Sequence, residues 1–546
     1  MKILIVGGVA AGTKAAAKLL REDRSCEVTI LTKGKDISYA GCGLPYYVGD
    51  VIHEKGQLIV NTPEKFEKLT GAKVLTQTEA VSVDPAGHTV EAKNLQTGEV
   101  NVYSYDKLVI ASGASPFVPP IQGLDLKNVF TMRTPDDAIA LRTAVEAGEI
   151  KKAVVAGGGF IGLEVAENLA AKGVKTTVVD FAPHVLPNFL DPELCEYVEN
   201  KMSEEGIMPL TGTSLEGVGG DGKVEKVLVK TPKKERGLKS DALVLAIGIR
   251  PNTAFLEGSG IEMCKGAVLT DGAMRTNIPD IYAAGDCAMV RNRQTGKPAW
   301  SPMGSTANIA GRALAQSIAG KEVSYPGVLG TGVAKLPGGL NVGRTGLTET
   351  AAKAEGIDVE TVVAVVDDKA HYYPGAGSFT VKMIAERASR KLAGVQVLGT
   401  GAVDKMTDIG VVAISMGATV DQLAAMDFAY APPFSTAIHP FAHCANILMN
   451  KLDGQMDSVT PAAYAAGAAD DCEIIDCALA PSLEGKKYLD LTTISGEVEG
   501  LSKDAKLLLV CAKGKRAYLT QNRLKYYGYT NTKILEGGTA FTEIED

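Results

Sequence analysis

The sequence of 546 residues has no run of about eighteen uninterrupted apolar residues, so it offers no membrane-spanning helix. It does not open like a secretory leader either. Met1 to Val6 is a short apolar strand that runs straight into glycines, and no leader is expected. The nine cysteines form no C-x-x-C pair and show no regular close spacing. They read as reduced thiols of a cytoplasmic protein rather than a disulfide framework, with no metal site expected. Blocks of like charge are missing, and the formal net charge is −8. That balance argues against nucleic acid or an anionic membrane as a main partner. What is present is ample core material: 45% of residues are hydrophobic and 22% charged. At about 100–200 residues per domain, the length suits three or four domains.

Two glycine turns organise the first half. Strand Lys2–Val6, the turn Gly7-Gly8-Val9-Ala10-Ala11-Gly12, a helix over 13–21 and strand Glu27–Leu31 form a βαβ unit. About 150 residues later the pattern recurs, with a strand at 153–156, the turn Gly157-Gly158-Gly159-Phe160-Ile161-Gly162, a helix over 163–172 and a strand ending at Asp180. This second turn is a complete G-x-G-x-x-G. Gly157 allows the tight turn, Gly159 admits a pyrophosphate, and Gly162 lets helix and strand pack closely. Asp180 stands where a carboxylate would accept from a ribose 2′-OH, and no arginine follows it, which favours NADH over NADPH. The first turn is less regular. Val9 replaces the second glycine, and Thr32, with Lys33 beside it, occupies the usual acidic position. A later strand ending Ala284-Gly285-Asp286 suits a second contact to a flavin, with Asp286 on the ribityl chain. The strands ending at Ser112-Gly113 and at Gly248-Ile249-Arg250-Pro251-Asn252 read as the crossings between two nested domains.

From about residue 326 the pattern changes to alternating strands at 361–366, 378–384 and 391–398 and a helix around 408–416. Residues 454–470, rich in Ala, Gly, Ser and Pro, read as a linker. The remainder, with strands at 474–476 and 506–510 and a helix over 516–526, reads as a small α/β unit.

Two thiols stand out. Cys42 lies in Ser38-Tyr39-Ala40-Gly41-Cys42-Gly43, just after the second strand of the first unit. There it would face a flavin, and a helix N-terminus beside it would lower its pKa. Cys511 opens Cys511-Ala512-Lys513-Gly514-Lys515-Arg516 between a strand and a helix, a loop able to wrap a thiolate or persulfide.

Together these residues resemble the pyridine nucleotide–disulfide oxidoreductase superfamily. Within it they resemble the single-cysteine branch of coenzyme A disulfide reductases, NADH oxidases, NADH peroxidases and persulfide reductases. The likeness spans roughly residues 1–450 and rests on the two turns, Ser38-x-x-x-Cys42-Gly43, Arg250-Pro251-Asn252, Ala284-Gly285-Asp286, and Ala307-Asn308 with Gly311-Arg312. The tail is similar to a rhodanese module through Cys511 to Arg516, though Asp476-Cys477 stands where an aspartate-led loop is expected. The resemblance implies an α/β protein with two nested Rossmann-like domains. FAD would occupy 1–117 with 250–325, and NADH 118–249. An α+β dimerisation domain would follow at 326–453, then a linker at 454–471 and a rhodanese-like domain at 472–546.

It implies that FAD is held by Gly7, Gly8, Ala10, Gly12, Lys33, Gly43, Ser112, Gly113, Gly285, Asp286 and Ala307. NADH falls to Gly157, Gly159, Phe160, Ile161, Gly162, Glu164, Asp180 and Gly248, with Phe160 and Glu164 towards the nicotinamide. Electrons would pass from NADH through FAD to Cys42, and on to a persulfide, polysulfide or coenzyme A disulfide, with Cys511 carrying sulfane sulfur. Ser38 would line the Cys42 loop. Tyr372 or Tyr373, together with Tyr430, would reach the partner's site in a homodimer; Ile438-His439-Pro440-Phe441 departs from the branch's common pattern, and His439 is either an acid or base near the partner's cysteine or a structural histidine. The alternative is an NADH oxidase or peroxidase working through a Cys42 sulfenic acid.

Overall fold

Strands buried on both faces need near-continuous apolar runs, and Lys2–Val6, Lys107–Ile110, Lys152–Ala156 and Ala242–Leu245 supply them. In the computed structural model, which describes residues 1–544, these become the centres of two parallel sheets. Both belong to one of two units, residues 1–185 with 206–328. The first sheet has the order Ile281–Ala283, Lys107–Ile110, Lys2–Val6, Glu27–Leu31, Lys73–Leu75. The second runs Met208–Leu210, Lys175–Val179, Lys152–Ala156, Ala242–Leu245, Val129–Thr131. Every neighbouring pair in both is parallel. Each sheet is accompanied by a three-stranded antiparallel sheet. Where the chain crosses between the two halves, Ala114–Pro116 pairs antiparallel with Ile249–Pro251. Arg250 lies over the Phe117 ring, 4.1 Å from its centroid, which accounts for arginine in that motif.

The other unit comprises residues 186–205 and 329 onward. Its antiparallel sheet has the order Gly332–Lys335, Asn341–Gly346, Leu392–Gly399, Ser378–Glu386, Val359–Asp367. Helices Val403–Met416 and Pro440–Leu452 contribute to its core. A second, parallel sheet has the order Ser458–Val459, Thr532–Leu535, Leu507–Val510, Glu473–Asp476, Lys487–Tyr488. No helix among the described residues is long and apolar enough to cross a membrane.

Two boundaries differ from expectation. The stretch 454–471 is not a linker. It carries strand Ser458–Val459, in register with Ile534 and Leu535, and helix Pro461–Ala465 capped by Thr460. Small residues gave it a loop-like composition, but Val459 is an edge-strand core residue. Residues 186–205, expected within the NADH domain, group with the antiparallel sheet. The reason is a buried ion cluster. Lys382, 2% exposed, pairs with Asp191 at 3.1 Å, Glu349 at 2.7 Å and Glu193. Asp191 also accepts from the Gln396 side chain and from the Thr350 backbone and hydroxyl.

Candidate active site

The first glycine turn is built by exclusion. A Cβ on Gly12 would lie 1.9 Å from the Gly7 carbonyl oxygen, and one on Gly7, at φ +118°, 1.9 Å from that of Ala111. Helix Ala10–Glu22 can therefore begin against the strand ends only with glycine at both places. A cavity of about 730 Å³ opens there. Nine of the expected flavin residues line it: Gly7, Gly8, Ala10, Lys33, Ser112, Gly113, Gly285, Asp286 and Ala307. Gly12 and Gly43 do not. Gly12 packs beneath the turn, and a Cβ on Gly43 would press on Ile52 and Leu58. Lys33 pairs with Glu79 at 2.8 Å on the cavity wall, while Thr32 is buried under Gly8.

Sequence reading missed Arg133. Its guanidinium pairs with Asp286 at 2.9 Å inside the cavity, and no motif marks it. Asn252 locks the wall, donating to the Ser112 carbonyl at 3.0 Å and accepting from Ser115 at 2.7 Å. Gly7 N–H is committed to the Leu31 carbonyl at 2.8 Å, and cavity size with the helix N-terminus that follows it fits a dinucleotide such as FAD.

The second turn repeats the design. A Cβ on Gly162 would lie 1.9 Å from the Gly157 carbonyl, whereas one on Gly159 or Gly248 would meet open space. That space is what a pyrophosphate needs. Ile161 is exposed and Phe160 half-buried at the head of helix Phe160–Ala171. Asp180 is partly occupied: its carboxylate accepts from Gly158 N–H at 2.6 Å and Ala182 N–H at 2.7 Å, bracing the turn.

Cys42 sits in the 3₁₀ turn Gly41–Gly43, directly before helix Leu44–Val48. Ser38 adopts φ 50°, and its backbone joins the two parts of the site. Its N–H donates to Gly8 O at 2.9 Å, and its carbonyl accepts from Val60. The thiol is reachable from solvent, but protein mass surrounds it. Burial, then Glu164 and Asp286, push it up, with Arg133 opposing. The helix that follows, expected to lower the thiol, spans only five residues, and the Glu164 and Asp286 charges act in the opposite direction. Glu164 accepts from the Tyr46 hydroxyl at 3.1 Å. Burial, with Glu167, pushes its carboxyl up to about 7 against that bond. A group titrating at neutral pH thus stands beside the thiol.

In the other unit, Tyr372 and Tyr430 are 66% and 50% exposed, and the Tyr372 hydroxyl holds the Tyr430 pKa above the ordinary value. His439 is the N-cap of helix Pro440–Leu452, where Nδ1 accepts from Phe441 N–H at 3.2 Å and the ring stacks on Phe428. Burial, and then Lys405, push its pKa down to about 4. The ring is neutral at pH 7 and caps the helix, as the structural alternative expects. Cys511, 4% exposed, follows strand Leu507–Val510, and its sulfur accepts from Ala517 N–H at 3.4 Å. Its loop is anchored by Lys513, which bonds Asp367 and, at 2.7 Å, Ser378. Asp476 braces the facing loop by accepting from Ala478, Ser482 and Leu483.

Residues 1–307 match the family model described as pyridine nucleotide-disulphide oxidoreductase, and 338–442 match its dimerisation domain. A protein of Methanocaldococcus jannaschii named NADH oxidase is 35% identical over 83% of this chain and 100% of its own length. One of Pyrococcus horikoshii, named NAD(P)H coenzyme A polysulfide/persulfide reductase, is 34% identical over 82% of this chain and 98% of its own. The solved structure of an NAD-dependent persulfide reductase from A. fulgidus superposes with a TM-score of 0.93. It is 36% identical and covers 100% of both chains.

Proposed function

Since the chain belongs to the pyridine nucleotide-disulphide oxidoreductase family, we propose that it is an NADH-dependent flavoprotein reductase acting through Cys42 on a persulfide, polysulfide or coenzyme A disulfide. The observation that carries this reading is a lone reachable thiol, with no second cysteine in its loop, next to a dinucleotide cavity. FAD would be held by the Gly8–Ala11 amides, Asp286 and Arg133, and NADH by the Gly157–Gly162 turn and Asp180; bound flavin supplies two-electron transfer from nicotinamide to sulfur. Attack of the Cys42 thiolate on the outer sulfur of a persulfide breaks the S–S bond, releases the thiol and leaves a persulfide on Cys42; the two electrons that NADH provides would then release hydrosulfide and restore the Cys42 thiolate. Glu164, through its bond to Tyr46, holds or releases a proton beside that sulfur. The tail acts as a rhodanese-like sulfur carrier at Cys511, supported by the Ala517 N–H that its sulfur accepts.

The protein works as a homodimer in a reducing, cytosolic setting, in line with nine free cysteines. Exposed Val412, Met416, Phe434 and Ile438 on the dimerisation domain support that assembly, and the Tyr372–Tyr430 pair would serve the partner's thiol. The name of the Methanocaldococcus jannaschii relative favours a second reading, oxygen reduction through a Cys42 sulfenic acid.

Anaerobic stopped-flow separates the two. NADH-reduced protein is mixed with coenzyme A persulfide, coenzyme A disulfide or oxygen, as wild type and Cys42→Ser. Rapid reoxidation by a sulfur substrate, lost about 1,000-fold or more in the variant while NADH still bleaches the flavin, is the expected result. Reoxidation by oxygen alone would overturn it.

A further inference from the structure

The terminal parallel sheet sets two thiols side by side. Strands Glu473–Asp476 and Leu507–Val510 are neighbours in the register Glu473↔Leu507 through Asp476↔Val510. The next residue on each is a cysteine, so Cys477 stands opposite Cys511, and Cys477 N–H extends the ladder to Val510 O at 2.7 Å. Alternation along both strands sends Ile475 and Cys477, and Leu507, Leu509 and Cys511, into one core. Ile474, Leu508 and Val510 go into the other. Both sulfurs also meet one helix, Lys515–Tyr526, a turn apart. Ala517 N–H donates to Cys511, and the buried Thr520 hydroxyl, without a hydrogen-bond partner among the described residues, is near enough to Cys477 to favour its thiolate. Adjacent strands lie about 4.8 Å apart, within the about 4.4–6.8 Å between Cα atoms that a disulfide spans.

We propose that Cys477 and Cys511 are a second redox-active pair, in which Cys477 resolves a persulfide carried on Cys511. This rests on reading Cys511 as the sulfur carrier. The Cys477 sulfur attacks the inner sulfur of Cys511–S–SH. A Cys477–Cys511 bond forms, the Cys511 S–S bond breaks, and the outer sulfur leaves as hydrosulfide while the Cys477 proton passes to solvent. The two cysteines lose two electrons and the sulfane sulfur gains them. Two equivalents of a small thiol, of the kind the reductase releases, reopen the disulfide by successive exchange through a mixed disulfide and leave as the small-molecule disulfide, restoring both cysteines. The tail would thereby discharge sulfane sulfur without the flavin. Burial, then Cys511 and Asp476, push the Cys477 thiol up to about 12, opposed by Thr520. Arg516, paired with Asp490, adds a cation that binds the Cys477 carbonyl. Resolution is therefore slow at neutral pH and quickens about tenfold per pH unit. The persulfide lives long enough to be passed on.

The test uses the full-length protein carrying Cys42→Ser, treated with inorganic polysulfide at pH 7 and pH 9 and followed by intact mass and peptide mapping. A transient gain of about 32 Da at Cys511 should give way, faster at pH 9, to a loss of about 2 Da and a Cys477–Cys511 crosslinked peptide. With Cys477→Ala added, the gain should persist. A Cys511 persulfide that is stable at pH 9 with Cys477 present would overturn the proposal. Diamide, which needs no persulfide and no second variant, separates the two readings. A diamide crosslink without any polysulfide adduct at Cys511 would remove the carrier role and the resolving step built on it, leaving only an oxidisable pair. Absence of the crosslink with both oxidants would reject the pair itself.

Discussion

At Glu164 the decisive quantity is a carboxyl pushed up to about 7 beside a thiol that its charge holds up. Above that pH the carboxylate opposes the Cys42 thiolate, and below it the opposition fades. Glu164→Gln should therefore lower the apparent pKa of Cys42 and speed its alkylation by iodoacetamide several-fold at pH 8, with little change at pH 5.5. The same shift bears on stability. The folded carboxyl keeps its proton between its unfolded value near 4.5 and about 7, so the folded state binds more protons there. Its contribution becomes unfavourable as pH rises through that window. The glutamine variant should gain relative stability at pH 8. None of this could be read from sequence. Cys42 was legible as a glycine-flanked thiol, and Glu164 and Asp286 as cofactor-site residues, but their pull on the Cys42 sulfur, and that of the unmarked Arg133, comes only with folding.

Helix termini show the same division at the scale of elements. His439 sits before a proline and an apolar helix and could equally have served chemistry or packing; its cap bond to Phe441 and its stack on Phe428 are what folding gives the packing role. Its folded pKa of about 4 lies below the unfolded value near 6.5, so the unfolded chain binds the extra proton between them. The stability it supports is full above about pH 6.5 and is lost as pH falls towards 4, by on the order of 2–3 kcal/mol. His439→Asn keeps a cap acceptor. Comparing its urea midpoints with wild type at pH 7.5 and 5 should show a smaller acid loss, while the pH profile of turnover stays unchanged. For the glycine turns, sequence was a better guide, because the φ and contact limits are local. Gly162→Ala forces a Cβ against the Gly157 carbonyl at a cost of about 1–3 kcal/mol. NADH-driven bleaching should slow at least tenfold with flavin content retained, as absorbance at saturating and limiting NADH would show.

For the molecule as a whole, charge burial and surface apolarity make opposite predictions. Lys382 is enclosed with Asp191, Glu193 and Glu349, and these hold its ammonium above the usual range against the cost of burial. Lys382→Met would leave three enclosed carboxylates without a cation, and unfolding stability should fall by about 3–5 kcal/mol in denaturant titrations. Met416, 78% exposed on helix Val403–Met416, should tolerate Met416→Glu in the isolated fold. If its face joins two copies, sedimentation velocity will show that variant dissociating at concentrations where the wild type remains a dimer. The sequence alone determined the two dinucleotide folds, the single thiol and the strand–loop–helix around Cys511. Each of these depends on a short stretch whose periodicity or glycine spacing is dictated locally. Tertiary structure decided what no local pattern encodes. It placed residues 186–205 with the antiparallel sheet through Lys382, made a small-residue stretch an edge strand through Val459, and set Cys477 opposite Cys511. Each outcome depends on which distant surface a segment finds to bury its charge or its apolar face, and that is fixed only when the whole chain has folded.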